Sequence, residues 1–134
     1  MRILGLDLGT VRVGAALSDP LGLTAQPLEV IPRHALDKRV VELVTEYDVQ
    51  RVIVGLPLKL DGSRGQAALD AKEAVQKLHT LVMIPVEFYD ERLTSAAANR
   101  MLIDADVSRD KRKKSVDKIA AALILQGYLD RTKK

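Results

Sequence analysis

The chain opens with RILGLDLGTVRVGAALS (residues 2–18), two short apolar runs on either side of a Gly-Thr pair. The first run extends from Arg2 to Asp7 and predicts a buried strand, because it is continuous, short and followed by a turn signal. The second run, residues 11–18, follows at once, so the pair predicts a β-hairpin. An opening hairpin indicates that the sheet of this protein contains antiparallel strands.

A third strand follows before the apolar period changes. Residues 19–22 (DPLG) form a second turn signal with Asp19 as turn former, and residues 25–31 predict a strand. Pro27 places that strand at an edge of the sheet or at a bulge, because proline donates no main-chain hydrogen bond. The later elements expected from the apolar periods are a helix over 36–47, a strand over 51–56, a helix ending near 79, a strand over 84–89, a helix over 94–103 and a final helix from Ser115 to about Leu129.

The predicted order is therefore β-β-β-α-β-α-β-α-α, an α/β fold. An opening meander followed by β-α-β units implies a mixed sheet of five strands with helices on its faces. The length of 134 residues suits one domain, which we expect to cover residues 1–134 and to end in a basic C-terminal segment.

Composition excludes several classes of protein. The sequence has no cysteine, so it holds no disulfide scaffold, thiol nucleophile or thiolate zinc site. Two scattered histidines, His34 and His79, do not make a histidine-rich metal site. No apolar run approaches the ~20 residues that span a bilayer, and the first apolar stretch meets Asp7 too early for a secretory leader. We therefore expect a cytoplasmic protein that has no membrane partner.

Basic side chains concentrate towards the end of the chain. Residues 109–134 contain nine Lys and Arg against three Asp and Glu, whereas residues 1–108 contain twelve against fifteen. A basic end on an acidic body is typical of proteins that bind a polyanion such as nucleic acid, although basic tails also serve solubility alone. With one Phe and three Tyr in the sequence, a base-stacking surface for single strands is not expected.

Acidic residues lie where open α/β proteins place their chemistry, beyond the carboxyl ends of the strands. They are Asp7 after the first strand, Asp90 and Glu91 after the last strand, and Asp117 in the first turn of the final helix. Asp117 shares a helical row with apolar residues, where a carboxylate is costly unless it meets a cation, a donor or a metal ion. Simpler interpretations stay open. Asp117 would then interact with the helix macrodipole, and Asp7 would accept hydrogen bonds from the turn amides of Gly9 and Thr10.

The acids form an all-oxygen ligand set. Because side chains alternate along a strand, we expect only one of Asp90 and Glu91 in the site, and the other to pair with Arg92 or Arg12. Three convergent carboxylates without histidine or cysteine suit Mg²⁺ or Mn²⁺. Two such ions about 4 Å apart activate a water and stabilise the leaving oxygen in phosphodiester cleavage. The sequence therefore predicts a two-metal site.

Basic residues beside these acids are suited to hold the phosphates of a nucleic acid. Charge-assisted contacts of this kind grip a backbone without reading its bases. The alternative is that the run at 111–114 is only a solvated charged surface. The candidate phosphate-binding residues are Arg12, Lys59, Arg64, Arg92, Lys111, Arg112, Lys113 and Lys114.

Four segments resemble, in order, the motifs of a known family. They are residues 6–14 (LDLGTVRVG), residues 54–57 (VGLP) with Asp61-Gly62 shortly after, residues 90–95 (DERLTS) and residues 115–125 (SVDKIAAALIL). On these motifs the chain is similar to the YqgF/RuvX family, whose opening motif is written loosely as (I/L/V)D-x-G-x-x-R-x-G. The resemblance extends from residue 4 to about residue 129.

This resemblance implies a ribonuclease H-like fold, related to that of the Holliday junction resolvase RuvC. Family members are described as Holliday junction resolvases and as nucleases that trim the 5′ end of pre-16S rRNA. By motif, Asp7, Glu91 and Asp117 would be the metal-binding catalytic acids, with Asp90 as the alternate acid. The substrate would be a structured rRNA precursor or a four-way DNA junction. Cutting a junction in two strands requires two active sites, and hence a homodimer.

Two other classes of function remain to be weighed. The stretch DLGT (residues 7–10) also has the form of the phosphate-and-Mg²⁺ loop of actin-like and Hsp70-like ATP-binding proteins. Those proteins bind a nucleotide between two such domains, whereas 134 residues suit only one domain. A non-catalytic ribosome-assembly factor that holds rRNA through its basic end is the second alternative. The acids favour an enzyme, because a pure phosphate binder gains nothing from three carboxylates facing a polyanion.

Overall fold

The computed structural model describes residues 1–9, 11–56, 66–90 and 109–132. Its elements are β1 (Arg2–Leu8), β2 (Arg12–Ser18), β3 (Ala25–Pro32), a 3₁₀ turn (Arg33–Ala35), α1 (Leu36–Glu46), β4 (Val49–Leu56), α2 (Gln66–Leu81), β5 (Val86–Asp90) and α3 (Arg109–Thr132). This order agrees with the predicted one, and the bounds differ by one or two residues except at α3. The predicted helix over 94–103 lies outside the described residues. No helix in the described part of the chain combines the length and apolar character needed to cross a bilayer.

The five strands form one mixed sheet in the order β3-β2-β1-β4-β5. The β1–β2 and β2–β3 pairs are antiparallel, whereas β1–β4 and β4–β5 are parallel. The hairpin at the start of the chain supplies the antiparallel pairs, and the helical crossovers supply the parallel ones. The predicted α/β class and the five-stranded mixed sheet are confirmed, with β1 at the centre.

Helices cover both faces of this sheet. α1 and α2 pack against the face that carries Leu4, Leu6 and the other even-numbered residues of β1. α3 packs against the opposite face, where Ile3 of β1 and Ile53 of β4 are buried. Because successive side chains of a strand point to opposite faces, Asp7 lies on the α3 face with Ile3.

The edge strand β3 contains the bulge that its proline indicated. Ala15 of β2 pairs with Glu29, but the next residue, Ala16, pairs with Pro27. Leu28 is therefore the extra residue on β3, next to a position that has no N–H to donate. The sequence offered an edge or a bulge for Pro27, and the structure combines both.

Asp19 organises the turn between β2 and β3, as predicted. Its carboxylate accepts main-chain hydrogen bonds from Thr24 (2.8 Å), Leu23 (2.6 Å) and Leu21 (3.3 Å). These hydrogen bonds, that of Thr24 above all, hold the pKa of Asp19 below its usual value despite some desolvation.

The predicted start of the final helix is wrong. α3 begins at Arg109, six residues before Ser115, so residues 111–114 are helical and do not form a charged loop. Serine fits the pattern of an N-cap, but the Lys and Arg residues ahead of it are good helix formers, and no Gly or Pro interrupts them. Asp117 is consequently the ninth residue of the helix. Its interpretation as an acid interacting with the macrodipole is also wrong, because that effect is confined to the first turn.

Candidate functional site

Asp7 lies at the carboxyl end of the central strand. It is the residue before the last of β1 and is half-buried. In the sheet register it pairs with Gly14 of β2 on one side and with Gly55 of β4 on the other. Residues that pair across strands lie side by side on the same face. The two residues paired with Asp7 are therefore both glycines, which carry no side chain.

α3 approaches the main chain of β1 very closely at Gly5, two residues before Asp7. A Cβ built on Gly5 would lie 2.8 Å from the Cβ of Leu125 and 3.3 Å from the carbonyl oxygen of Ala121. Only glycine accommodates such an approach without moving the helix or the strand. Gly5 is thus the residue that lets α3 pack directly against the strand that carries Asp7.

The direction of α3 brings its N-terminal half towards the carboxyl end of β1. Tyr128 accepts a hydrogen bond from Arg51 near the beginning of β4 (2.6 Å), whereas Ala121 lies against the middle of β1. One further turn towards the N-terminus advances about 6 Å along the helix. Two residues along a strand cover a similar distance, about 6.6 Å. The backbone of Asp117 therefore lies near the level of Asp7, and the side chain of Asp117 is outside the described part of the chain.

The remaining predicted site residues are described to different extents. Arg12 is the first residue of β2 and is half-buried. Asp90 is the last residue of β5 and pairs with Leu56, but its side chain is not described. The backbone of Lys111, Arg112, Lys113 and Lys114 belongs to the first turns of α3, without described side chains. Outside the described residues altogether are Lys59, Arg64, Glu91 and Arg92.

The described residues supply one of the three predicted metal ligands. Among them, no group of three or more His, Cys, Asp or Glu side chains is placed to hold a metal ion. Asp7 nevertheless fits a hard divalent cation, because it offers carboxylate oxygens at the carboxyl end of the central strand. A complete site would need the side chains of Asp117 and of Asp90 or Glu91.

Sequence reasoning missed Arg33, which holds the turn after Asp7. Its guanidinium Nη1 donates to the carbonyl oxygen of Gly9 (2.8 Å), and its main-chain N–H donates to the carbonyl oxygen of Val11 (2.9 Å). The N–H of Gly9 donates to the carbonyl oxygen of Arg12 (3.0 Å), so this amide closes the hairpin. Nothing local marks Arg33 in the sequence, since the contact depends on where β3 ends relative to the first hairpin.

A second unpredicted cluster joins the C-terminal part of α3 to β4 and β5. Arg51 pairs with Glu87 (3.2 Å) besides its hydrogen bond to Tyr128. Tyr128 packs edge-on against Tyr89, with ring centroids 6.1 Å apart, and the guanidinium of Arg131 lies 5.4 Å from the Tyr89 ring. Tyr89 and Tyr128 thus help attach α3 to the sheet.

Solved structures of resolvases share this fold. RuvC of T. thermophilus, in complex with a Holliday junction substrate, superposes with a TM-score of 0.58 at 19% identity and covers 98% of this chain and 95% of its own. The fowlpox virus Holliday junction resolvase gives a TM-score of 0.57 at 17% identity, with 98% and 99% covered. The protein therefore has the ribonuclease H-like fold of these resolvases, as the motifs implied.

Sequence relatives are much closer. Proteins named "Putative pre-16S rRNA nuclease" from Desulforamulus reducens and Streptococcus sanguinis are each 50% identical to the chain. The first aligns over 133 residues, 97% of both chains, and the second over 137 residues, 98% of this chain and 99% of its own. The family model described as "RuvX: Holliday junction resolvase" matches residues 1–131. The chain belongs to the RuvX family.

Proposed function

We propose that this protein is a divalent-metal-dependent nuclease that hydrolyses a phosphodiester bond in the precursor of 16S rRNA. The observation that carries the proposal is the position of Asp7, at the carboxyl end of the central strand and between two glycines. The names of the relatives that are 50% identical over nearly the whole chain favour the rRNA precursor as substrate. The description of the family model favours a four-way DNA junction as the second candidate.

In this proposal the three acidic residues of the site bind the divalent metal ions. Asp7, Glu91 and Asp117 would be the residues that hold the divalent ions, Mg²⁺ or Mn²⁺. Bound ions of this kind activate a water for attack on phosphorus and stabilise the leaving oxygen. Asp90 shares the even-numbered positions of β5 with Val86 of the α1/α2 core, whereas Asp7 lies on the α3 face, and this register supports Glu91 as the third acid.

The basic residues hold the substrate around this centre. Because α3 is continuous from Arg109, the basic run at 111–114 and Asp117 belong to one helix and keep a constant separation. Lys113 lies one turn ahead of Asp117, a rise of about 6 Å. That distance is similar to the spacing of neighbouring phosphates along a nucleic-acid strand. We infer that this run binds phosphates next to the one that is cut, together with Arg12, Lys59, Arg64 and Arg92.

The experiment is a cleavage assay with Mg²⁺ or Mn²⁺ that compares the wild type with Asp7→Asn. Its matched control is Glu46→Gln, which removes the same charge from an exposed position at the end of α1. Glu46 is remote from the site, because the neighbouring Tyr47 contacts Arg2 at the opposite end of β1 (5.6 Å from the ring centroid to the guanidinium carbon). We expect Asp7→Asn to abolish cleavage with nearly unchanged binding, and Glu46→Gln to cleave as the wild type does.

Three labelled substrates distinguish the candidates: an RNA with an unprocessed 16S 5′ end, a four-way DNA junction and linear duplex DNA. Asp7-dependent cleavage of the RNA alone supports the proposal. Symmetric Asp7-dependent cleavage of the junction would make the protein a resolvase and require a homodimer. Tight, metal-independent RNA binding with no cleavage by the wild type would contradict nuclease function and favour a ribosome-assembly factor.

A further inference from the structure

Arg33 occupies an unusual position between the candidate site and the α1/α2 layer. It follows the last residue of β3 and engages both carbonyl groups that flank residue 10 in the turn after Asp7. The guanidinium holds the carbonyl of Gly9, and the main-chain N–H holds the carbonyl of Val11. The end of the strand that carries Asp7 is thus attached from outside the hairpin.

The same guanidinium reaches a second element. Nη2 of Arg33 lies 2.8 Å from Oδ2 of Asp70, the fifth residue of α2. The side chain of Arg33 is 21% exposed and that of Asp70 is 43% exposed, so the ion pair is only partly screened by solvent. α2 begins directly after residues 57–65, the segment that contains Lys59 and Arg64. Arg33 therefore connects the turn after Asp7 to the helix that follows the proposed phosphate-binding segment.

The turn after Asp7 contains a glycine at a very close approach. Gly9 approaches the carbonyl oxygen of Arg12 so closely that a Cβ would lie 2.5 Å from it, and glycine adds no side-chain packing of its own. An arginine binds two acceptors at once through the two arms of a rigid plane, whereas a lysine is a single point charge. A site that orients carboxylates for catalysis loses rate when they are displaced by as little as 1 Å.

We propose that Arg33 is a positioning residue for the nuclease site. It fixes the end of β1, and hence Asp7, relative to α2. The inference rests on the proposed function, because it assigns to Arg33 the alignment of Asp7 for metal binding. In this proposal Arg33 acts through the turn after Asp7 and is not itself a ligand of the metal or the substrate.

The test compares Arg33→Met, Arg33→Lys and Asp70→Asn with a control that breaks a neighbouring ion pair. Lys77 of α2 pairs with Asp37 of α1 (2.8 Å), so Lys77→Met loosens the same helix without touching the turn after Asp7. We expect Arg33→Met to lower kcat by about 10–100-fold and to raise the metal concentration at half-maximal activity, with little change in KM. Arg33→Lys and Asp70→Asn retain part of the linkage, so their kcat values should lie between those of Arg33→Met and the wild type. Lys77→Met should behave as the wild type.

A second readout keeps the inference separate from the proposed function. Binding of Mn²⁺ broadens the NMR signals of nearby amides, and we expect broadening at Asp7 and Gly9 in the wild type to weaken in Arg33→Met and Arg33→Lys. Unchanged broadening and unchanged kcat in these variants would overturn the role of Arg33. A loss of kcat in Lys77→Met equal to that in Arg33→Met would overturn it as well. A wild type that binds Mn²⁺ at Asp7 but cuts no substrate would contradict the nuclease proposal, while the broadening would still decide whether Arg33 positions Asp7. If Arg33→Met does not fold, the comparison of Arg33→Lys with Lys77→Met decides.

Discussion

Gly5 of β1 and Leu125 of α3 are in direct contact, with no room for a side chain on the glycine. An added Cβ would lie 2.8 Å from the Cβ of Leu125, an atom that cannot rotate away. The contact matters for function because β1 carries Asp7 and α3 carries Asp117. The distance between these two candidate ligands is therefore set by how closely the strand and the helix pack.

The first prediction concerns this contact. Gly5→Ala should lower the free energy of unfolding by about 1–3 kcal/mol, because the helix or the strand must move to admit the methyl group. Urea unfolding of the purified variant measures the effect. Gly127→Ala is the matched control, since its Cβ would meet the hydroxyl end of Tyr89 at 3.1 Å, which can shift. That change should be neutral or stabilising in a helix. Equal stability of Gly5→Ala and wild type would contradict the close packing.

A second prediction concerns the attachment of β3 to α3. The Gln126 side chain accepts from the N–H of Ala25 (2.9 Å) and donates to the carbonyl of Leu23 (3.1 Å). Gln126→Ala should lower the free energy of unfolding by about 1 kcal/mol and speed hydrogen exchange of the Ala25 amide.

Gln126→Glu separates the hydrogen bond that this side chain accepts from those that it donates. The carboxylate still accepts from Ala25 but no longer donates to Leu23. It also stands one turn from Asp130, which now accepts a hydrogen bond from the Gln126 amide (3.0 Å). We expect protection of the Ala25 amide to persist while the unfolding free energy falls. Fast exchange of Ala25 in both variants would show that the acceptor bond does not hold the strand.

The third prediction is a pH dependence that arises from Asp19. Main-chain hydrogen bonds, first that of Thr24, lower its pKa in the folded protein. A carboxyl group with a lowered folded-state pKa stabilises the protein above its unfolded pKa of about 3.9, and this contribution is lost as the pH falls through the folded value. Asp19→Asn should therefore be less stable than the wild type at neutral pH, and the difference should shrink below about pH 4. Urea unfolding of both proteins from pH 7 to pH 2.5 measures it. A difference that is constant with pH would argue against the charge of Asp19 as its origin.

The fourth prediction concerns the basic helix and nucleic acid. In an Asp7→Asn background, which prevents cutting, Lys113→Ala combined with Lys114→Ala should weaken binding of the RNA. It should also reduce the slope of log K against log salt by about 0.7–0.9 for each phosphate that the variant no longer binds. Alanine preserves the helix. The control replaces Lys38 and Lys72, two exposed lysines of α1 and α2, and should leave the slope unchanged. An equal reduction by both pairs would indicate nonspecific charge attraction.

Much of the fold could be predicted because its signals are local. The change of apolar period near residue 36 separates strands from helices, and Pro27 marked the edge strand and its bulge. The start of α3 could not be predicted from Ser115, because a local N-cap signal competes with a run of good helix formers that nothing terminates.

The candidate site could be predicted only in part, for a related reason. The positions of acids after strands placed Asp7 at the right edge of the sheet. The residues that surround it depend on strand register and on contacts between residues far apart in sequence. Gly14 and Gly55 flank Asp7 only because β2 and β4 pair with β1 in one register, and a shift by one residue would turn every side chain of a strand to the other face.

The sequence by itself determined the order and type of the elements, the apolar faces that must be buried, and the family motifs that contain the acids. It could do so because hydrophobic period, turn chemistry and residue type act over a few neighbouring positions. Only the tertiary structure decided that α3 touches the main chain of β1 at Gly5 and that Arg33 joins the turn after Asp7 to Asp70 of α2. These contacts arise when distant segments pack at van der Waals distance, and no local pattern encodes which atoms then meet.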